Sequence, residues 1–258
     1  MPHFRKIIVE KNLEVWYNMT EIDAKGLDYT VLNERVRQSA GDIVLQNVLG
    51  QRFIAAGAGD RKITINGVPG NALGAYLNGA KIFVDGNAQD AVGDTMNDGE
   101  IVVNGNIGDA AGYAMRGGKI FVKKNASYRA GIHMKAYKDK SPLLVIGGTA
   151  GSFLGEYQAG GTIIVLGLEC GDRPIVSNFP STGMHGGKMF LRSRCEKIKF
   201  PVGVTAEKAT EDDLKEIKDH VEHFCRLFGY DAKEILNSPF TVVTPDSKNP
   251  YKQMYVAN

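Results

Sequence analysis

Residues 62–80 read KITINGVPGNALGAYLNGA, 81–99 KIFVDGNAQDAVGDTMNDG, 100–118 EIVVNGNIGDAAGYAMRGG and 119–137 KIFVKKNASYRAGIHMKAY. Set one under another, these lines are four copies of one unit, and a fixed step of this length is the mark of a repeat architecture. Ile63, Ile82, Ile101 and Ile120 fall in one column, and Ile65, Val84, Val103 and Val122 fall in the column two residues on. Apolar β-branched residues alternating in this way predict a strand at the head of each unit. Gly74, Gly93, Gly112 and Gly131 keep the same step, as do Leu77, Met96, Met115 and Met134.

Outward from this block the pattern continues with insertions. Strand starts are expected at Ile43, Ile63, Ile82, Ile101, Ile120, Leu143, Ile163 and Met189, which define about seven coils. Extra residues follow Met134 (KAYKDKSP) and Gly167 (LECGDRPIVSNFPSTGMHG). No segment between strands is long enough for a packing helix, and the LxxLxLxxN pattern of leucine-rich repeats is missing. The expected fold is therefore all-β: a single-stranded parallel β-helix with flanking helices and two or three short strands per coil. Stacked coils stand about 4.8 Å apart, so seven make a rod roughly 30 Å long with its Ile/Val and Leu/Met columns turned inward. A right-handed coil is expected from the general preference of parallel connections.

The turns agree with stacking. Asn47, Asn66, Asp85 and Asn104 form a column, and the last three precede Gly67, Gly86 and Gly105. Such pairs turn a chain sharply. A second corner reads NGAK (78–81), NDGE (97–100) and RGGK (116–119), then GGT (160–162) and GGK (186–188). Glycine there lets neighbouring backbones approach closely. The 31 glycines, about 12% of the chain against a usual 7%, thereby acquire a geometric reason.

Three parts are expected: an N-terminal lead-in with a short helix (1–42), the β-helix (43–195), and a C-terminal helical cap with an extended tail (196–258). FRKIIVE reads as a strand, and LDYTVLNERVRQSA as a helix with Leu32 and Val36 on one face. Thr210-Glu-Asp-Asp213 is a capping box before Leu214, Ile217, Val221, Phe224 and Leu227, with Gly229 as the stop. These helices are expected to cap the rod or lie along its side, covering strand edges that would otherwise template aggregation. SPFTVVTPDSKNPYKQMYVAN reads as an extended surface tail.

Composition narrows the function classes. With 31 basic and 29 acidic residues intermixed, the chain has no broad basic field, which argues against nucleic acid. There is no apolar run of about 20 residues and no signal-peptide core, so a cytoplasmic location away from membranes is expected. Cys170, Cys195 and Cys225 lie far apart, which suggests neither a zinc knuckle nor a disulfide framework.

The chemical candidates each have a plainer reading. IGGTAGS misses GxGxxG at Thr149, and Gly118-Lys119 and Gly187-Lys188 miss the phosphate-loop motif because Ile120 and Met189 follow. Asn71, Asp90 and Asp109 share a column. Asp90 and Asp109 could hold a cation or act as an acid/base pair, as on polysaccharide-cleaving β-helices, or simply bond backbone amides. His185, beside the glycine corner in GMHGGK, is the histidine best placed for chemistry. His220 and His223 are expected to pack, and Cys170 to be a free thiol. No catalytic, cofactor-binding or metal-binding residue is assigned.

The spacing G-xx-G-xxx-G occurs in full three times: at Gly67, Gly70 and Gly74, at Gly105, Gly108 and Gly112, and at Gly148, Gly151 and Gly155. It occurs partly at Gly86 and Gly93, and Gly131 keeps the last column. Together with IDAKGLDYTVLNERVR, VLGQRF, STGMHGGKMFLR and SKNPYKQMYV, these motifs resemble the GXGXG C-terminal domain of the glutamate synthase large subunit, over about residues 21–255. That family also includes a subunit of formylmethanofuran dehydrogenase and a subunit of N-methylglutamate synthase-like enzymes. The resemblance implies a non-catalytic domain standing as its own protein, packing against a glutamine amidotransferase subunit and an FMN/iron–sulfur synthase subunit and helping enclose the ammonia route. FMN and the cluster would sit on those partners, with none in this chain. An incompletely capped rod could also form a homo-oligomer.

Overall fold

A computed structural model describes residues 3–5 and 17–246. Its strands are β1 (His3–Arg5), β2 (Tyr17–Asp23), β3 (Asp42–Leu49), β4 (Lys62–Val68), β5 (Asn78–Asp85), β6 (Asp98–Val103), β7 (Lys119–Val122), β8 (Leu143–Ile146), β9 (Ala159–Val165), β10 (Gly186–Leu191), β11 (Val204–Lys208) and β12 (Thr241–Pro245). Three helices accompany them: α1 (Tyr29–Gln38), α2 (Glu211–Phe228) and α3 (Ala232–Leu236). β2 through β10 pair in sequence order, all parallel, as a β-solenoid of about eight turns.

The register is the one the repeat predicts. Ile43 lies on Ile63, Ile63 on Ile82, Ile82 on Ile101, and Ile101 on Ile120. Every one of these side chains is buried, forming one continuous interior with the column of Ile65, Val84, Val103 and Val122. Three expectations need correction. The stack begins a turn earlier, because β2 already pairs with β3 (Thr20 on Ile43). After the first insertion the column is taken by Leu144, which lies on both Ile120 and Ile163; Leu143 faces outward into the helix-covered cluster. Asn47 is a bulge residue with φ +56°, so Gln46, not Asn47, stands beneath Asn66 and accepts its side-chain amide at 2.8 Å.

Between strands the coil is not built from further short strands. From β3 onward each coil has its strand, while Ala88, Ile107, Ala126, Ala150 and Val176 stack through single bridges. The remainder alternates between right- and left-handed backbone. Ala72, Gly74 and Tyr76 have φ of +61°, +64° and +57°. The same triad recurs at Ala91, Gly93 and Thr95, at Ala110, Gly112 and Ala114, at Arg129, Gly131 and His133, and at Phe153, Gly155 and Tyr157. Successive positive-φ residues donate in opposite directions: Ala72 N–H to Asp90 C=O above, Gly74 N–H to Ile54 C=O below, Tyr76 N–H to Asp94 C=O above. Pairing both neighbours in this way leaves the buried backbone satisfied without a strand.

The three glycines of each motif meet different constraints. The last one is the left-handed member of its triad, with Gly155 at φ +65° beside Gly74 and Gly112. The middle one lies directly on the preceding coil. A Cβ on Gly70 would run into Gly50 O, one on Gly108 into Asp90 Oδ1, and one on Gly151 would stand 2.6 Å from Ser127 O. The first is a corner of close approach, as is Gly86 in the partial copy, where a Cβ would stand 2.5 Å from Gly67 O. A side chain at the middle position would thus displace the coil below it.

The flanking elements close the rod. Leu32 and Val36 on α1 enter the interior cluster of the first coils. Asp28 caps α1 by accepting Thr30 N–H at 2.8 Å. α2 has the predicted capping box, Thr210 with Asp213, and ends on Gly229 with φ +79°. It lies along the side of the rod and buries Ile217, Val221 and Phe224 against Val102, Phe121, Val145, Ile164 and Phe190. Those five share the outward column of the sheet, whose earlier members Val44 and Thr64 are not part of that cluster. Of the expected C-terminal tail, Thr241–Pro245 is instead a paired strand: β12 runs antiparallel to β10, with Val243 on Met189, and β11 forms the outer edge, while residues 247–258 lie outside the described residues. Of FRKIIVE, only Phe4 and Arg5 lie in β1, and the rest falls outside the described residues.

Candidate functional site

The acidic column is spent on stacking. Asp90 N–H donates to Asn71 Oδ1 (3.3 Å), Asp109 N–H to Asp90 Oδ1 (2.8 Å), and Tyr128 N–H to Asp109 Oδ1 (3.1 Å), while Ser127 Oγ–H also donates to Asp109 (2.5 Å). Each carboxylate therefore accepts an amide from the coil above, which is the work of a turn residue. A parallel ladder went unread in the sequence: Asn106 N–H donates to Asn87 Oδ1 (2.8 Å), Asn125 N–H to Asn106 Oδ1 (3.1 Å), and Thr149 N–H to Asn125 Oδ1 (2.8 Å). Asn87, Asn106 and Asn125 keep the repeat's step, so the signal was available.

The interior also holds an unexpected polar residue. Leu77, Met96, Met115 and Met134 are followed in their column by Gln158 and then Met184, as their shared i−3 turn bonds show. Gln158 is fully buried; its Nε2 donates to Gly160 O (3.2 Å) and Gly161 O (3.1 Å), and its Oε1 has no hydrogen-bond partner among the described residues.

Large aromatic side chains stay exposed on the left-handed face. Phe53, Tyr76, Tyr113, Tyr157 and Phe179 are all exposed there, Phe179 at 60%. Rings run along it in two rows. Tyr128, Phe153 and Phe179 follow one another at 5.4 and 5.2 Å, with the Arg129 guanidinium 4.8 Å from the Tyr128 ring. Tyr113 meets His133 edge-on at 5.9 Å, and His133 stacks on Tyr157 at 5.2 Å with planes 11° apart. Arg129 Nε and Glu156 Oε2 form an ion pair at 2.9 Å whose angle departs from a hydrogen bond.

Beside the second row lies an open groove of about 900 Å³ between the rod and α2. Its lining includes His133, Tyr157, Arg116, Lys135, His185, Lys188 and Glu216. His185 thus stands in a cleft, its Nδ1 3.0 Å from Gly183 O. Lys188 reaches across to Glu216 (2.5 Å) and Asp213 (3.5 Å), contacts that hold its ammonium above the usual lysine range. His220 and His223 lie on α2: His223 Nε2 is 2.8 Å from Glu100 Oε2, and burial pushes His220 below the ordinary imidazole value. Cys170 lines a separate cleft of about 540 Å³ with Arg173, Arg192 and Cys195. All three cysteines are free thiols, and burial raises Cys195 and Cys225 away from the reactive thiolate. Among the described residues no group of three or more His, Cys, Asp or Glu is arranged to hold a metal ion, and no helix is long and apolar enough to cross a membrane.

Comparison with known proteins fits this geometry. A protein of Methanocaldococcus jannaschii, MJ1350, is 46% identical over 248 residues, which cover 91% of this chain and 95% of that one. A chain of the formyltransferase/hydrolase complex from Methylorubrum extorquens, solved with methylofuran, has the same fold at a TM-score of 0.55 and 16% identity, covering 78% of this chain and 71% of that one. The GXGXG motif family matches residues 17–246, nearly the whole of the described rod and its helices. This chain is a member of the GXGXG family.

Proposed function

We propose that this chain is a non-catalytic scaffold subunit of a glutamate synthase-type complex. It packs against a glutamine amidotransferase subunit and an FMN/iron–sulfur synthase subunit and helps enclose the ammonia route between them. The observation that carries the scaffold reading is where the polar groups go. The acidic column, a candidate for chemistry along the rod, is occupied in holding one coil to the next, as is the asparagine ladder beside it. The exposed aromatic rows are then surface available to other chains, since large exposed apolar patches mark interaction sites. A second reading is a scaffold role in a formylmethanofuran dehydrogenase-type or N-methylglutamate synthase-like complex; the likeness of fold to a chain of the formyltransferase/hydrolase complex favours it.

Affinity purification of the tagged chain from its own cells, with mass spectrometry of what accompanies it, separates these readings. An amidotransferase and a flavin-absorbing chain are expected. Molybdopterin-binding and amidohydrolase-like chains would replace the first reading by the second. Recovery of the chain alone at low salt would defeat both.

A further inference from the structure

We propose that the groove between the His133–Tyr157 stack and α2 is a docking site for an extended acidic segment of a partner polypeptide, an inference that rests on the scaffold role above. Two of its cations, Arg116 and Lys135, are the first reason. Arg116 N–H bonds to Met96 O (2.8 Å) and Lys135 N–H to Met115 O (3.0 Å), which places the two residues in one column on consecutive coils. His185 stands two coils further on, after Ala159, through Ala159 N–H to Met134 O and His185 N–H to Gln158 O. Stacked coils stand about 4.8 Å apart, and like charges set directly opposite each other repel. Two other cations nearby are matched, Lys188 by Glu216 and Asp213, and Arg129 by Glu156. Among the described residues neither Arg116 nor Lys135 has a carboxylate within ion-pair distance.

The aromatic wall is the second. His133 and Tyr157 hold φ of +55° and +53°, where a side chain costs roughly 1–2 kcal/mol. The same column carries Thr95 and Ala114 in earlier coils, so stacking the coils does not demand a ring there. Tyr113 and Tyr157 remain 40% and 37% exposed. Exposed tyrosine beside arginine is the composition of protein-interface hot spots.

Shape is the third. The groove also borders on Ala114, Ala136, Ala159 and Gly160, positions without long side chains, and it is open to solvent. A small-molecule site encloses most of its ligand; a trough with a backbone-level floor suits a chain laid along it. Alternate side chains of an extended strand are spaced by roughly 6.6 Å, a mismatch with the coil spacing that flexible glutamate and lysine side chains can absorb.

The test uses the full-length chain and a fluorescein-labelled octapeptide alternating glutamate and serine, read by fluorescence anisotropy. Binding should weaken with salt and should fall about tenfold or more in the double variant Arg116→Glu/Lys135→Glu. Ala159→Trp, which obstructs the trough without changing charge, should do the same, with circular dichroism confirming that both variants fold. Arg37→Glu on α1, in the first coil, should bind as wild type. No binding, equal binding of the glutamine-for-glutamate peptide, or undiminished binding by either groove variant overturns the proposal. So does tighter binding of oligo-dT through the same residues, which would make the groove a nucleic-acid site. Co-purification of partner chains that survives loss of peptide binding removes only the groove; failure of co-purification removes the scaffold role itself.

Discussion

Replacing Gly93 by alanine should cost more stability than the same change at Gly112, although the two share a column and a backbone conformation. Their φ angles are +68° and +69°, so each alanine carries the same left-handed penalty, roughly 1–2 kcal/mol. The surroundings differ. A Cβ at Gly93 would stand 2.5 Å from Ile120 Cδ1 and 3.5 Å from Ile101 Cδ1, whereas at Gly112 the nearest atom is Met115 Sδ, 3.8 Å away. Overpacking adds about 1–3 kcal/mol. The expected losses are therefore about 1–2 kcal/mol for Gly112→Ala and about 2–5 kcal/mol for Gly93→Ala. Because the obstruction is one methyl group, Ile120→Val should relieve it. That change costs roughly 0.5–1.5 kcal/mol by itself, and in the Gly93→Ala background it should cost less or become stabilising. Urea unfolding followed by far-ultraviolet circular dichroism, on the wild type, the three single variants and the double variant, closes the cycle. Equal losses at the two glycines, or strict additivity of Gly93→Ala and Ile120→Val, would refute the tight packing of this ladder.

Three further outcomes are expected. His220 is held below its ordinary value of 6.5, by burial first and Lys119 second, against the opposing pull of Asp219 and Glu216 and with His223 also disfavouring the charge. The unfolded chain therefore takes up a proton before the folded one does. Stability from this site is complete above pH about 6.5 and is lost as pH falls from there through the folded value; His220→Gln should flatten that part of a plot of melting temperature against pH. Asn106→Ala removes the acceptor of Asn125 N–H and of its side-chain amide, and should lower stability by about 1–3 kcal/mol, with faster amide exchange at Asn125; unchanged exchange there would count against the ladder. Gln158→Glu sets a carboxyl oxygen against Gly160 O and Gly161 O in place of the amide that now donates to them, so it should destabilise strongly, and increasingly as pH rises from the unfolded carboxyl's value of about 4.3 through the raised folded one, levelling off above it. A pH-independent loss would show that the new side chain leaves the interior.

The chain's own sequence determined the coil. Side chains that must lie over one another have to recur at one step, so the column of Ile63, Ile82, Ile101 and Ile120 carries both the repeat length and the pairing register. Likewise the α2 capping box and Gly229 are local devices, legible within a few residues. The glycine motif was legible as a pattern, but its division of labour was not: that Gly70, Gly108 and Gly151 yield to the coil below while Gly155 turns left-handed depends on which coil lies against each. The left-handed backbone was not legible either, because Ala72, Tyr76 and Thr95 carry no local mark of positive φ; the hydrogen bond that each N–H donates to the coil above holds them there. Leu144 rather than Leu143 joined the column because an insertion removes the fixed step, and only pairing with Ile120 and Ile163 decides the register. The tail became β12 because its apolar face meets Met189, far away in the chain. The groove, too, belongs to tertiary structure alone: Arg116, Lys135, Tyr157, His185 and Glu216 come from four coils and a helix, and nothing in their sequence spacing brings α2 alongside the rod. Local periodicity encodes what stacks, whereas a surface shared by distant segments exists only once the chain has packed.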